Sequence, residues 1–159
     1  MTPPGHAVIS LGVGAIIWAF TRNIYAVVAA PLVGVLVDLD HLVDYYQWIV
    51  KERREHVWLF LHGYELTIIA VLGAYASGWD PIVLAGALAY LAHVLTDQFT
   101  NHVRPGTYFL LYRASRRFRL ERVAEWREED LFGDLLRFPV AGPIVLRINP
   151  RLKRFMPEK

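Results

Sequence analysis

The stretch "GVLVDLDHLVDYY" (residues 34–46) begins as an apolar run suited to a bilayer, then places Asp38, Asp40, His41 and Asp44 within seven residues. Three carboxylates and an imidazole there mark either the wet end of a helix or the polar interior of a bundle. The two alternatives give different folds. Comparison with the other apolar segments of the chain separates them.

The chain has 159 residues, enough for one domain or a small membrane bundle. It is 55% hydrophobic with a mean hydropathy of +0.30, high for a soluble domain of this size. There is no cysteine, which excludes disulfides and thiolate metal sites. The net charge of +2 hides a split: residues 1–97 carry 4 Lys/Arg against 8 Asp/Glu, and residues 98–159 carry 13 against 7. A basic tail behind an apolar half points to an anionic membrane surface. The opening "MTPPGHAVIS" lacks a basic n-region, which argues against a cleaved signal peptide.

Four apolar segments predict four helices: residues 7–20, 24–37 continuing through the acidic cluster towards Trp48, 57–76, and 82–96. Thr2 with Pro3, and Asp80 with Pro81, read as N-caps followed by first helical residues. "TRN" (21–23) and "SGWDP" (77–81) read as turns, whereas the break near "KERREH" (51–56) has neither Gly nor Pro. The expected fold is all-α: residues 1–105 form an integral-membrane four-helix bundle, and residues 106–159 form a basic cytoplasmic or interfacial tail. The 21–23 turn has one basic residue, the 77–81 turn none, the 51–54 connection three and the tail most of the rest. That alternation places both termini and the 51–56 connection in the cytoplasm.

Counting from the outer turns gives depth. His6 and Asp38 each lie 16 residues from Arg22, His62 lies 16 from Gly78, and Asp97 lies 16 from Pro81. At about 1.5 Å per residue, all four sit roughly 24 Å from the outer face, in the cytoplasmic half. His93 and Asp97 (i, i+4), His62 and Glu65 (i, i+3), and Asp38 and His41 each share a helix face, and Asp40 aligns with Asp44. Ionisable groups at membrane depth turn inward to pair or to bind ions. Carboxylates and imidazoles without sulfur suit Zn²⁺ first, with Mn²⁺ or Fe²⁺ as alternatives, as one or two ions. Two ions about 3.5–4 Å apart would suit phosphoester hydrolysis.

The order of these features resembles a known family. Gly5-His6 opening a helix, "DLDH" (38–41) ending the second, His62 opening the third and "HVLTD" (93–97) ending the fourth are similar to the predicted membrane-bound, metal-dependent hydrolases. These are also described as LexA-binding, inner-membrane-associated hydrolases of bacteria. The likeness covers roughly residues 1–105. It implies a multi-pass protein of a bacterial or archaeal inner (plasma) membrane, with a metal site formed by His6, Asp38, Asp40, His41, His62, His93 and Asp97. The third helix departs from the family: "LFLHGYEL" (59–66) stands where members carry an "HRGxTHS"-like stretch, and Glu65 is a candidate substitute.

The tail "RASRRFRLERVAEWREEDLFGDLLR" (113–137) reads as a basic amphipathic helix, with Leu120, Val123, Leu131 and Leu135 near one face. Arg116, Arg117, Arg119 and Arg122 would face anionic lipid headgroups. Interleaved acids (Glu121, Glu125, Glu128, Glu129 and Asp130) argue against nucleic acid. The leading functional expectation is a membrane-embedded metal-dependent hydrolase acting on a phosphoester of a lipid or lipid-linked molecule, with Glu65 or Asp44 as general base or as the group that orients a ligand. The alternative is a non-catalytic membrane protein with a structural metal and a tail that binds a protein partner. A transporter fits less well, because carriers place their sites near the midplane on broken helices of repeated halves.

Overall fold

The computed structural model describes residues 3–101, 103–126, 132–133, 135–136 and 139–156. Among these, regular structure is entirely helical, with two isolated bridges, His56 to Arg119 and Val103 to Ala124. Helix α1 spans Pro3–Thr21. Helix α2 (Tyr25–Leu36) continues through a 3-10 turn (Val37–Asp40), α3 (His41–Tyr45) and a π turn (Tyr46–Val50). Then follow α4 (Tyr64–Ala76), α5 (Pro81–Thr100), α6 (Leu110–Ser115), α7 (Leu120–Val123), α8 (Ala141–Ile148) and a 3-10 turn at Pro150–Phe155.

Three helical stretches, Pro3–Thr21, Tyr25–Val50 and Pro81–Thr100, are long and apolar enough to cross a membrane. The expected fourth is shorter. Residues 57–76 are helical only from Tyr64, and α4, at 13 residues, reaches about 20 Å. The preceding segment, 57–63, is apolar yet non-helical. Helices α1, α2 and α5 pack on one another, and α4 packs on α5. As expected, the Asp80 carboxylate caps α5, accepting from Ile82 N (2.9 Å) and Val83 N (3.2 Å), with Pro81 following. Thr2, the expected cap of α1, lies outside the described residues.

Small residues set the distance between helices. Ala26, Ala30, Ala85 and Ala89 are buried, along with Ser10, Gly14, Gly34 and Gly86. A Cβ at Gly14 would lie 2.7 Å from the Ala26 carbonyl oxygen, and one at Gly34 would lie 1.9 Å from Ser10 Oγ. Backbones approach this closely only across small residues, as in packed membrane helices. The outward faces are apolar: Val8, Ile16, Phe20, Val28, Leu32, Ile69 and Leu72 are exposed, whereas His6, His93 and Asp97 are buried. Polarity is thus inverted relative to a water-soluble bundle.

A second core joins Trp48, Val57, Leu59, Val123, Phe132 and Leu152, packing the tail against the end of the long second helix. The expected continuous helix over 113–137 is not found in its described part. Helix α6 ends at Ser115, and Arg117 (φ 57°) and Phe118 (φ 54°) turn the chain left-handed. The backbone pairs with the 55–57 segment instead: Val57 N donates to Phe118 O and Leu120 N to Glu55 O, both at 2.9 Å. Of the expected apolar face, Val123 is buried in this core, and Leu131 lies outside the described residues.

Gly14→Ala and Gly34→Ala should each destabilise the fold by about 1–3 kcal/mol through overpacking. Gly12→Ala, whose Cβ meets nothing within 4 Å, should be neutral or stabilising. Thermal unfolding midpoints in detergent would show this contrast.

Candidate metal centre

The acidic stretch divides its work. Asp40 and Asp44 lie one helical turn apart and face the returning 57–63 segment. The Asp44 carboxylate accepts from Trp58 N (2.8 Å) and Leu59 N (3.3 Å), and Asp40 Oδ2 accepts from Leu61 N (2.7 Å). From the other side, the Arg113 guanidinium donates to the carbonyls of Leu59 (2.6 Å), His62 (2.8 Å) and Thr107 (2.7 Å), and Tyr90 Oη donates to Leu61 O. A buried non-helical segment must have its amides and carbonyls paired, and these side chains pair them. The result is a fixed position for His62, which is fully buried.

Asp38 meets the histidines. His62 Nε2 and His93 Nε2 lie 3.0 Å apart. Asp38 Oδ1 is 3.5 Å from each, and Asp97 Oδ2 is 3.4 Å from His62 Nε2 and 3.5 Å from His93 Nε2. Five of the six separations among these four atoms are thus 3.0–3.5 Å, close to the edges of a tetrahedron whose centre would lie about 2.1 Å from each corner, the Zn–N and Zn–O bond length. Protonation follows from the outer partners. His93 Nδ1 is 2.6 Å from the Gly34 carbonyl oxygen, which can only accept, so Nδ1 carries the hydrogen. His62 Nδ1 faces Asp40 Oδ2 at 3.1 Å and donates to it. Both Nε2 atoms therefore face the cluster, together with two carboxylates. Donors ordered by a carboxylate and a backbone carbonyl on their far nitrogens are the usual arrangement of metal-binding imidazoles.

His6 and His41 flank this tetrahedron. His6 Nε2 is 3.0 Å from Asp97 Oδ1, and His41 Nε2 is 3.6 Å from Asp38 Oδ1. Two overlapping sets, His6/Asp38/His93/Asp97 and Asp38/His41/His62/Asp97, each bring four donor atoms within 4.8 Å of one another. The buried atoms His6 Nδ1 and Asp38 Oδ2 find no hydrogen-bond partner among the described residues. The donor set and its spacing therefore fit a divalent cation.

Three expected roles change. Asp40 belongs to neither set; its carboxylate orients His62 and the Leu61 amide. Asp44 accepts from the Trp58 and Leu59 amides and belongs to neither set. Glu65, expected beside His62 on one helix face, turns away because His62 precedes α4. Its carboxylate accepts from Leu110 N (2.9 Å) and Leu111 N (3.0 Å), holding the start of α6. Arg113 was hidden among the basic residues of the tail. Its one sequence signal is its place in "LLYRAS", set apart from the Arg116–Arg117 pair by Ala114 and Ser115. Burial lowers its pKa from the ordinary guanidinium value, opposed first by the Asp40 carboxylate. It remains a cation.

Arg113→Met should lower stability by several kcal/mol, since three buried carbonyls lose their donor at about 1–3 kcal/mol each. Asp44→Asn, which keeps one acceptor oxygen, should cost less. Chemical unfolding in detergent monitored by Trp48 fluorescence would rank the two.

No family model, characterised protein or solved structure matches this chain. The family resemblance therefore rests on the order and spacing of its motifs.

Proposed function

We propose that this chain is an integral membrane protein that holds a divalent cation, Zn²⁺ first, among Asp38, His62, His93 and Asp97, and hydrolyses a phosphoester of a lipid or lipid-linked molecule at the cytoplasmic leaflet. The near-tetrahedral spacing of four donors, three buried and Asp38 at the rim, inside an apolar bundle carries the reading. The inverted surface polarity and the bias of basic residues towards the 51–54 connection and the tail support the membrane setting and its orientation. When bound, such a cation would polarise a phosphoryl oxygen and activate water at neutral pH.

The protein's own residues supply access and orientation. Asp38 and His41 have side chains 13% and 24% exposed, so the cluster is reached from their side. Leu39 and Leu42, 52% and 63% exposed, flank that opening and match the acyl chains of a lipid substrate. His41, at the mouth, is placed to exchange a proton with an entering headgroup. Exposed Arg116, Arg117, Arg119 and Arg122 supply positive charge for anionic headgroups.

A second reading has its own observation. Four protein donors complete a tetrahedron, as in structural metal sites, whereas catalytic sites keep a position open. On that reading the metal staples the helices and the basic tail serves a protein partner.

The test is to purify wild type and Asp97→Ala in detergent, quantify bound metals and assay phospholipids and generic phosphoesters. We expect metal in the wild type with hydrolysis, and in Asp97→Ala an affinity loss beyond the roughly 10–100-fold of an outer-sphere change. A metal-free wild type would contradict the cation. Bound metal without turnover on any ester would favour the structural reading.

A further inference from the structure

We propose that the cluster binds a second cation beside the first, held by His6 Nε2, Asp97 Oδ1 and Asp38, with Asp97 and Asp38 bridging the two ions. The proposal rests on the reading of Asp38, His62, His93 and Asp97 as the first cation site. It starts from a stack: the His6 and His93 rings lie 3.7 Å apart, tilted by only 19°, with both Nε2 atoms facing the Asp97 carboxylate. Two parallel imidazoles aiming lone pairs the same way put their ions about one stacking distance apart. That distance falls in the roughly 3.5–4 Å spacing of two-metal sites.

Further donor atoms remain at the cluster. Asp97 presents Oδ2 to His62 and His93 and Oδ1 to His6, the geometry of a bridging carboxylate. Asp38 directs Oδ1 to the first site, while its Oδ2 is buried without a partner. His6 is 1% exposed; its Nε2 lies 3.0 Å from Asp97 Oδ1, and its Nδ1 finds no hydrogen-bond partner among the described residues. Ser10, one turn along α1 on the same face, carries another buried oxygen without a partner.

The consequence is a division of labour. The first ion has four protein donors and a closed shell. The second has three protein donors, so an open position remains for water or a phosphoryl oxygen. This reconciles a closed tetrahedron with hydrolysis and names His6 as the residue that separates a two-ion centre from a one-ion staple.

The experiment loads the full chain in detergent with Zn²⁺ and measures ions per chain by mass spectrometry, for wild type and His6→Gln. We expect two in the wild type and one in His6→Gln. Loading wild type with Mn²⁺ should also give the exchange-coupled paramagnetic resonance signal of a bridged pair, which decides the question even if His6→Gln fails to fold. One ion in the wild type, or two in both proteins, would overturn the second site while leaving the first intact. No ion in the wild type would overturn both.

Discussion

Two imidazole nitrogens lie 3.0 Å apart with two carboxylates alongside, a set of donors that could hold a metal ion. In a low-dielectric interior the repulsion of unscreened donors is far larger than in water. Polar side chains on α1, the α2–α3 junction, the 57–63 segment and α5 meet at that point. Small residues at the contacts of α1, α2 and α5 let the backbones come close enough, and the Gly34 carbonyl serves both the packing and the orientation of His93.

The second constraint is the 57–63 segment. It carries His62 into the cluster without helical hydrogen bonds of its own, so its amides are taken by Asp40 and Asp44 and its carbonyls by Arg113 and Tyr90. Arg113 belongs to the basic tail and reaches the backbone of a site residue, while Glu65 of α4 holds the start of α6. The tail is therefore part of what positions the cluster. Its Arg116, Arg117, Arg119 and Arg122 stay exposed.

Much of the site was legible before the structure. His6, Asp38, His62 and Asp97 sit at equal distances from turns marked by Arg22, Gly78 and Pro81, and three of those turns' helices are regular enough for counting to give depth. The structure brings these four residues together. Other features left no trace in pattern. Val57 and Leu59 read as helix because they are apolar, yet they are apolar because the tail core buries them. Asp38, Asp40 and Asp44 look alike in sequence; in the structure Asp38 meets the Nε2 atoms of His62 and His93, Asp40 meets His62 Nδ1 and the Leu61 amide, and Asp44 meets backbone amides alone. Arg113 could not be told from its basic neighbours without knowing which carbonyls lacked donors.

The central claim is that imidazoles and carboxylates from separate segments surround a cation. X-ray absorption at the zinc edge of the zinc-loaded protein in detergent tests it most directly. The account predicts a first shell of nitrogen and oxygen at about 2.0–2.2 Å with the outer scattering of bound imidazole, both diminished by His62→Ala together with His93→Ala. A shell of oxygens alone, without imidazole scattering, would contradict it.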